Sequence, residues 1–219
     1  MTVVPARAQD LPEALVLPLA SGAPWWYWLG GRPALDFANT LRERWRRRVE
    51  CLVTPDDLSR WLVAAGLAGH EPAVSPSLLG EARELREAID AAVAATLAGA
   101  PVPPAAIACI DDWLGHAGTR PRLALGQGGV PVLGERIPAD SARRALGTIA
   151  LDAAAMLGTP AERARIRICA SDTCSARFYD RSAAGRRRWC SMTACGNEAK
   201  ARRHRARSRS AAEAAEVSA

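Results

Sequence analysis

Four of the six cysteines in this 219-residue chain fall into two pairs of equal spacing, Cys169 with Cys174 and Cys190 with Cys195. Fifteen residues separate the pairs. Each C-x4-C pair can close a tight loop along one edge of a tetrahedron. Two such loops supply four thiolates, the ligand set of a structural zinc site. Four thiolates leave the metal no open coordination position, so the chemistry expected is the holding of shape, not hydrolysis. The alternative for the same spacing is two disulfides in a secreted protein. Metal is favoured because the N-terminus makes a poor signal peptide: Arg7 is followed by Asp10, Glu13 and several prolines. The spacer carries the turn-formers Asp180, Ser182 and Gly185, which predict a two-stranded hairpin inside it. Cys51 and Cys109 lie far from the cluster and read as small core residues.

The net charge of +6 is unevenly spread. Residues 163–209 hold fourteen Lys/Arg against three Asp/Glu, whereas residues 1–162 hold fifteen against eighteen. The basic character belongs to the cysteine module and points to a polyanion as partner. Asn197 is placed to cap a last helix from Glu198 to about Arg209. On that helix Lys200, Arg203 and Arg207 share a face, flanked by Arg202, Arg205 and Arg209. Together with Arg187 and Arg188 of the spacer, these are the candidate nucleic-acid contacts. Like charges so dense repel one another and are expected to lack acidic partners at helical spacing, so phosphates would neutralise them. Phe178 and Trp189 are expected to pack the small module first and to stack on bases second.

The same residues resemble a known family. The first C-x4-C pair, Phe178-x-Asp180-x-Ser182, Arg187-Arg188-Trp189-Cys190-Ser191-Met192, and Cys195-Gly196-Asn197 followed by Lys200 and an arginine-rich run are similar to the CGNR zinc finger family. Glu198 stands where that family usually has the arginine of its name. Upstream, the stretch from Leu29-Gly30-Gly31-Arg32-Pro33 through Leu35-Asp36-Phe37 to Asn39-Thr40 resembles the opening signature of the ABATE domain, which precedes this finger in the same proteins. The resemblance implies a bacterial, stress-related transcription regulator.

The elements that must position these residues read as an α+β chain. A mainly helical N-terminal domain with a small β-hairpin is followed by a small four-cysteine zinc module, itself a hairpin plus a basic C-terminal helix. Residues 1–24 read as a loosely held arm, 25–158 as the ABATE-like domain, 163–209 as the finger and 210–219 as a frayed tail. Trp25-Trp26-Tyr27-Trp28 alternates like a short edge strand, with Trp26 and Trp28 on one face. Pro33 opens a helix whose apolar positions are Leu35, Ala38, Leu41 and Trp45, and Arg42–Arg48 reads as its solvated end. Asp36 and Asn39 flank that stripe. A ligand pocket there competes with a plainer pair of roles: Asp36 favouring the helix start and Asn39 tying down a neighbouring loop. Thr54-Pro55-Asp56-Asp57, Ser75-Pro76 and Pro104 open three further helices. In the third, Ile107, Ile110, Trp113 and Leu114 face inward. His70 and His116 read as surface or capping residues. Residues 121–134 form a hairpin around Gln127-Gly128-Gly129, and a helix spans 139–157. Arg165-Ile166-Arg167-Ile168-Cys169 alternates as a strand that delivers the first ligand.

These features favour a zinc-dependent protein that binds duplex DNA, with an N-terminal domain that senses an unidentified effector or forms a homodimer. An RNA- or ribosome-associated module is the alternative, because a four-thiolate site and arginines serve RNA equally well. A thiol redox switch is permitted by clustered thiolates. An enzyme is not expected: no nucleophile–base pairing, H-E-x-x-H or Walker pattern occurs. No apolar run reaches the length of a membrane span, and the compartment expected is the bacterial cytoplasm, at the nucleoid.

Overall fold

The computed structural model describes residues 11–20, 25–118, 120–136, 141–202, 205, 207 and 208. The readings for residues 1–10, 21–24 and the tail 210–219 lie outside the described residues. In chain order the elements are α1 (Pro33–Ala38), β1 (Leu41–Arg42), β2 (Val49–Glu50), α2 (Pro55–Ala64), α3 (Pro76–Leu97), α4 (Pro104–Leu114), β3 (Arg120–Leu125), β4 (Pro131–Arg136), α5 (Ser141–Gly158), α6 (Pro160–Arg163), β5 (Ile166–Ile168) and β6 (Arg177–Tyr179). The strands form three separate antiparallel pairs, β1 with β2, β3 with β4 and β5 with β6. The chain is thus α+β, with helices dominating.

Helices α3, α4 and α5 pack on one another, α1 lies against α3 and α5, and α2 closes the side. The starts follow from local chemistry. Thr54 accepts from the Asp57 amide and Asp57 bonds back to the Thr54 amide, a reciprocal cap ahead of Pro55. The Ser75 hydroxyl accepts from the Leu78 amide ahead of Pro76. The stripe Ala142, Leu146, Ile149, Ala153 and Met156 of α5 is fully buried. Gly147 belongs to the same face, and a Cβ there would lie 2.5 Å from the Ala117 amide nitrogen, so only glycine admits the chain that leaves α4. Ile110 and Trp113 of α4 face inward as expected, but Ile107 is half exposed.

Two stretches depart from the sequence reading in the N-terminal domain. Trp25–Trp28 forms no strand and pairs with none among the described residues. Its side chains hold it instead: Trp28 stacks on Trp61 at 5.5 Å, Trp26 meets Trp28 edge-on at 6.3 Å, and the Arg42 guanidinium lies 3.8 Å from the Tyr27 ring centre. The helix expected to run from Pro33 past Trp45 stops at Ala38, and Trp45 is 51% exposed. The cause lies in the arginines. A helix would carry them into water, whereas Arg42 and Arg44 are buried. Arg44 pairs with Glu87 at 2.7 Å and Asp90 at 3.2 Å, and Arg86 of α3 grips Glu50 at 2.6 Å. These pairs pull β1 and β2 onto α3, and left-handed φ angles at Glu43 and Arg48 turn the loop between them.

The described part of the arm, residues 11–20, is tied to the same loop. Leu11 and Leu19 are buried beside Val49 and Cys51, and Arg47 donates to the carbonyls of Leu11 and Pro12. The hairpin β3–β4 forms around Gln127–Gly129 with Leu123 opposite Leu133.

The hairpin of the cysteine module also differs from expectation. Only one of its strands, β6, lies inside the spacer; the other, β5, precedes Cys169, so the two flank the first cysteine pair, with Arg167 opposite Phe178. Asp180 explains why. Its carboxylate accepts from the amides of Ser182 at 2.9 Å and Arg187 at 2.8 Å, folding the rest of the spacer into a loop. Ile166 of β5 sits in the main helical core, so the module continues that core.

Candidate metal centre and basic module

The first cysteine pair sits at the turn of β5–β6. The Cys169 amide bonds the Ala176 carbonyl and the Cys174 amide bonds the Ser171 carbonyl, closing a tight knuckle. The second pair straddles a wide helical turn, Met192–Gly196, capped by the Ser191 hydroxyl, which accepts from the Ala194 amide at 3.2 Å. The Met192 side chain folds over Gly196, where a Cβ would lie 2.9 Å from its sulfur and would displace it. The Ala170 amide bonds the Arg188 carbonyl and so brings the two loops together.

All four sulfurs are buried and lie within 4.8 Å of one another. Cys174 and Cys190 are 3.8 Å apart, Cys190 and Cys195 3.7 Å. A tetrahedron with zinc–sulfur bonds of about 2.3 Å has edges of about 3.8 Å, so the donors fit zinc. Their protonation points the same way. Hydrogen bonding with Cys174 first, then with Cys190 and Cys195, holds the Cys169 thiol far below its ordinary range. The same kind of bond, led by Cys169, pushes Cys190 and Cys195 far above it. Four sulfurs this close cannot all ionise against one another, and a divalent cation removes the conflict. The Ala176 amide, 3.5 Å from the Cys174 sulfur, supports that ligand from outside. The other two cysteines stay apart. Burial pushes the Cys51 thiol up to about 12 and raises that of Cys109, so neither is a reactive thiolate.

A profile of the ABATE family, described as "Putative stress-induced transcription regulator", matches residues 31–160. The chain belongs to the ABATE family. A second profile, the CGNR zinc finger, matches residues 165–208 and takes in all four clustered cysteines. The CGNR module is thus of a zinc-binding type, and Cys169, Cys174, Cys190 and Cys195 are the clustered residues that would hold one structural zinc ion. Both families are of regulatory or metal-binding type. No curated protein gives a significant match to the chain. Among the described residues no helix is long and apolar enough to cross a membrane.

The candidate nucleic-acid residues divide by environment. Arg187 is structural: it donates to the Cys190 carbonyl at 2.8 Å and lies over the Phe178 ring at 5.2 Å. Arg202 is paired at 2.8 Å with Glu198, four residues earlier, and at 3.1 Å with Asp172. Acidic partners at helical spacing therefore exist, contrary to the sequence reading. Arg188, Lys200, Arg205 and Arg207 are exposed and have no acidic partner among the described residues. Arg203 and Arg209 lie outside the described residues. Arg186 is also exposed without an acidic partner and was not anticipated. Its place beside Arg187 and Arg188 after a turn glycine was the available signal. Residues 197–202 are helical, but their cap is Ser191 and not Asn197, because the turn around Cys195 runs directly into the helix. Phe178 is fully buried and Trp189 half buried, so both pack the module.

Asp36 and Asn39 sit at the junction between ABATE domain and finger. Asn39 pairs its side-chain amide with the backbone of Arg177 in β6, donating to the carbonyl at 2.9 Å and accepting from the amide at 2.8 Å. It acts as an extra strand residue beside β6. Asp36 accepts from the Gly30 amide at 2.7 Å. Burial first, then the charge of Asp152, pushes its carboxyl up to about 7 against the Gly30 bond and Arg181.

Proposed function

We propose that this protein is a DNA-binding transcription regulator in which zinc holds a basic surface against the duplex backbone. The observation that carries the reading is the set of exposed, acid-free side chains on the finger: Arg186, Arg188, Lys200, Arg205 and Arg207. Other described arginines of the module are engaged within the protein. Arg165 donates to the Asp180 and Ser182 carbonyls, Arg167 to Gly185, and Arg177 pairs with Asp90. Such an arrangement supplies affinity through phosphates and leaves base choice to contacts made by neighbouring side chains. The ABATE domain would carry the sensing or dimer-forming role.

Fluorescence anisotropy of labelled duplex DNA over a salt series tests this. With about five phosphate contacts, log affinity falls against log salt with a slope of about −4 to −5. Changing Lys200 and Arg207 together to Ala flattens that slope by about 2 and leaves zinc bound. Salt-independent binding, or a double variant that binds like the parent, ends the DNA reading. RNA is the second reading, favoured by one residue: Trp45, exposed and bonded through its indole N–H to the Asp172 carbonyl of the first knuckle. An exposed ring beside a basic module suits an unpaired base. Competition by structured RNA that displaces duplex DNA, with loss of that advantage in Trp45→Ala, would shift the assignment.

A further inference from the structure

A cavity of about 530 Å³ opens between the start of α1 and the end of α2, with no cysteine in its lining. Three features of its wall agree in sign. Trp28 lines it, with its ring already stacked on Trp61. An indole face attracts cations through its quadrupole. Asp36 lines it too. One carboxylate oxygen accepts from Gly30, and the other has no hydrogen-bond partner among the described residues. Residues 63–66, the carbonyl end of α2, form the opposite wall, and no basic residue stands in the last turn of that helix. This is the negative pole of the helix dipole.

The remaining charges do not cancel these. Arg32 borders the cavity, but its guanidinium is held by Asp152 of α5 at 2.7 Å and Glu162 of α6 at 2.6 Å, above the Tyr179 ring of β6. Arg181, whose charge reaches Asp36, donates to the Gly31 carbonyl. Around Asp36 three acids thus face two arginines. An anion would meet Asp36 and helix carbonyls, and a neutral apolar guest would bury the carboxylate unpaired. A bare metal ion would find one carboxylate and an indole, too few oxygens for a hard cation.

We propose that this cavity binds a small organic ammonium ion, with its charge on Asp36 and its apolar body against Trp28 and the 63–66 turn. The size suits a guest of this class. The raised Asp36 carboxyl is consistent with a group that waits for a cation. The site also touches the finger: the Gly30 amide that binds Asp36 belongs to the residue whose carbonyl accepts from the Tyr179 amide at 2.7 Å. An effector role for the guest rests on the regulator reading; binding itself does not.

The test uses the zinc-loaded full chain without nucleic acid, so it can fail while DNA binding stands, and the reverse. Isothermal titration with phenethylamine, hexylamine and choline is compared with phenethyl alcohol and phenylacetate, and tryptophan fluorescence reports on Trp28. The expected result is saturable binding of at least one ammonium probe. Phenethyl alcohol should bind at least tenfold more weakly than phenethylamine, and phenylacetate not at all. Amine affinity should rise as pH increases through about 7, where Asp36 ionises. Asp36→Asn keeps an oxygen for the Gly30 amide and should lose the preference for amine over alcohol. Failure of every ammonium probe, equal affinity for amine and alcohol, or an Asp36→Asn variant with unchanged amine binding overturns the proposal. If that variant does not fold, the amine–alcohol difference and the pH profile in the parent decide alone.

Discussion

At the scale of single residues, the cysteines divide cleanly into ligands and bystanders. Changing Cys169, Cys174, Cys190 or Cys195 to Ser should lower zinc content well below one per chain, measured by elemental analysis, because metal binding and folding are coupled in small zinc modules. Cys51→Ser and Cys109→Ser should leave the metal content unchanged, since both sulfurs stand outside the cluster. Two carboxylates give opposite pH signatures. Burial works against the Asp180 carboxylate, but bonds from Ser182 and the Arg187 amide outweigh it and hold it down at about 2. Its contribution is complete above about pH 4 and disappears as pH falls towards 2. Asp180→Ala leaves two amides without their acceptor and should cost about 2–4 kcal/mol in denaturant titration. Asp36 runs the other way. With a carboxyl raised to about 7, the folded chain holds a proton that the unfolded chain has released, so stability falls as pH rises from about 4 to 7. Asp36→Asn should abolish that slope and stabilise the chain at pH 8 by on the order of 1–3 kcal/mol. The ligand set was legible in the sequence because metal geometry fixes cysteine spacing. The state of Asp36 was not, because it depends on burial and on Asp152, more than a hundred residues away in the chain.

At the scale of elements, helix starts were readable wherever a capping hydroxyl preceded proline, as at Thr54 and Ser75. Periodicity failed where charge decided. The apolar spacing of Leu35, Ala38, Leu41 and Trp45 suited one long helix, yet Arg44 and Arg86 find acids only if the chain turns back into β1 and β2. The spacer hairpin failed for a related reason: Asp180 satisfies its own loop, so strand pairing moves to the residues that flank the first cysteine pair. The terminal helix has a charge balance of its own. Glu198 lies 2.8 Å from Arg202. Exposed pairs at this spacing contribute about 0.3–0.5 kcal/mol. Glu198→Arg removes that pair and sets a like charge four residues before Arg202. The variant should therefore lose less than about 1 kcal/mol of stability in a thermal melt. If the start of the helix faces phosphate, it should also steepen the salt dependence of DNA binding by about 1. A variant whose DNA affinity keeps the parent's salt slope would place residue 198 away from the duplex.

At the scale of the whole molecule, the question is how far the finger and the helical domain depend on each other. Core continuity argues for one cooperative body. Ile166 fills the helical core from β5, Asn39 completes β6 through two bonds to Arg177, and Gly30 accepts from the Tyr179 amide. The Arg44 amide donates to Ser175 at 3.1 Å, and the Tyr179 hydroxyl reaches Glu162 at 3.0 Å. The helical domain nevertheless has a core of its own, from Leu35 and Trp61 to Ile89 and Met156, which owes nothing to the zinc ion. A chain cut after Gly158 should therefore fold, with the Trp26–Trp28–Trp61 cluster still giving a near-ultraviolet dichroism signal. It should melt lower than the full chain. About three buried bonds without partners cost on the order of 3 kcal/mol, and for a domain of this size that lowers Tm by about 6–12 °C. Cys190→Ser in the full chain should shift the melt in the same direction by a smaller amount, because residues 159–219 remain present to cover the core face while their own fold loosens. Equal Tm values for the cut and full chains would mean that docking contributes nothing. A molten cut chain would mean that the helices lack an independent core, and the division near residue 158 would then separate two halves of one folding unit.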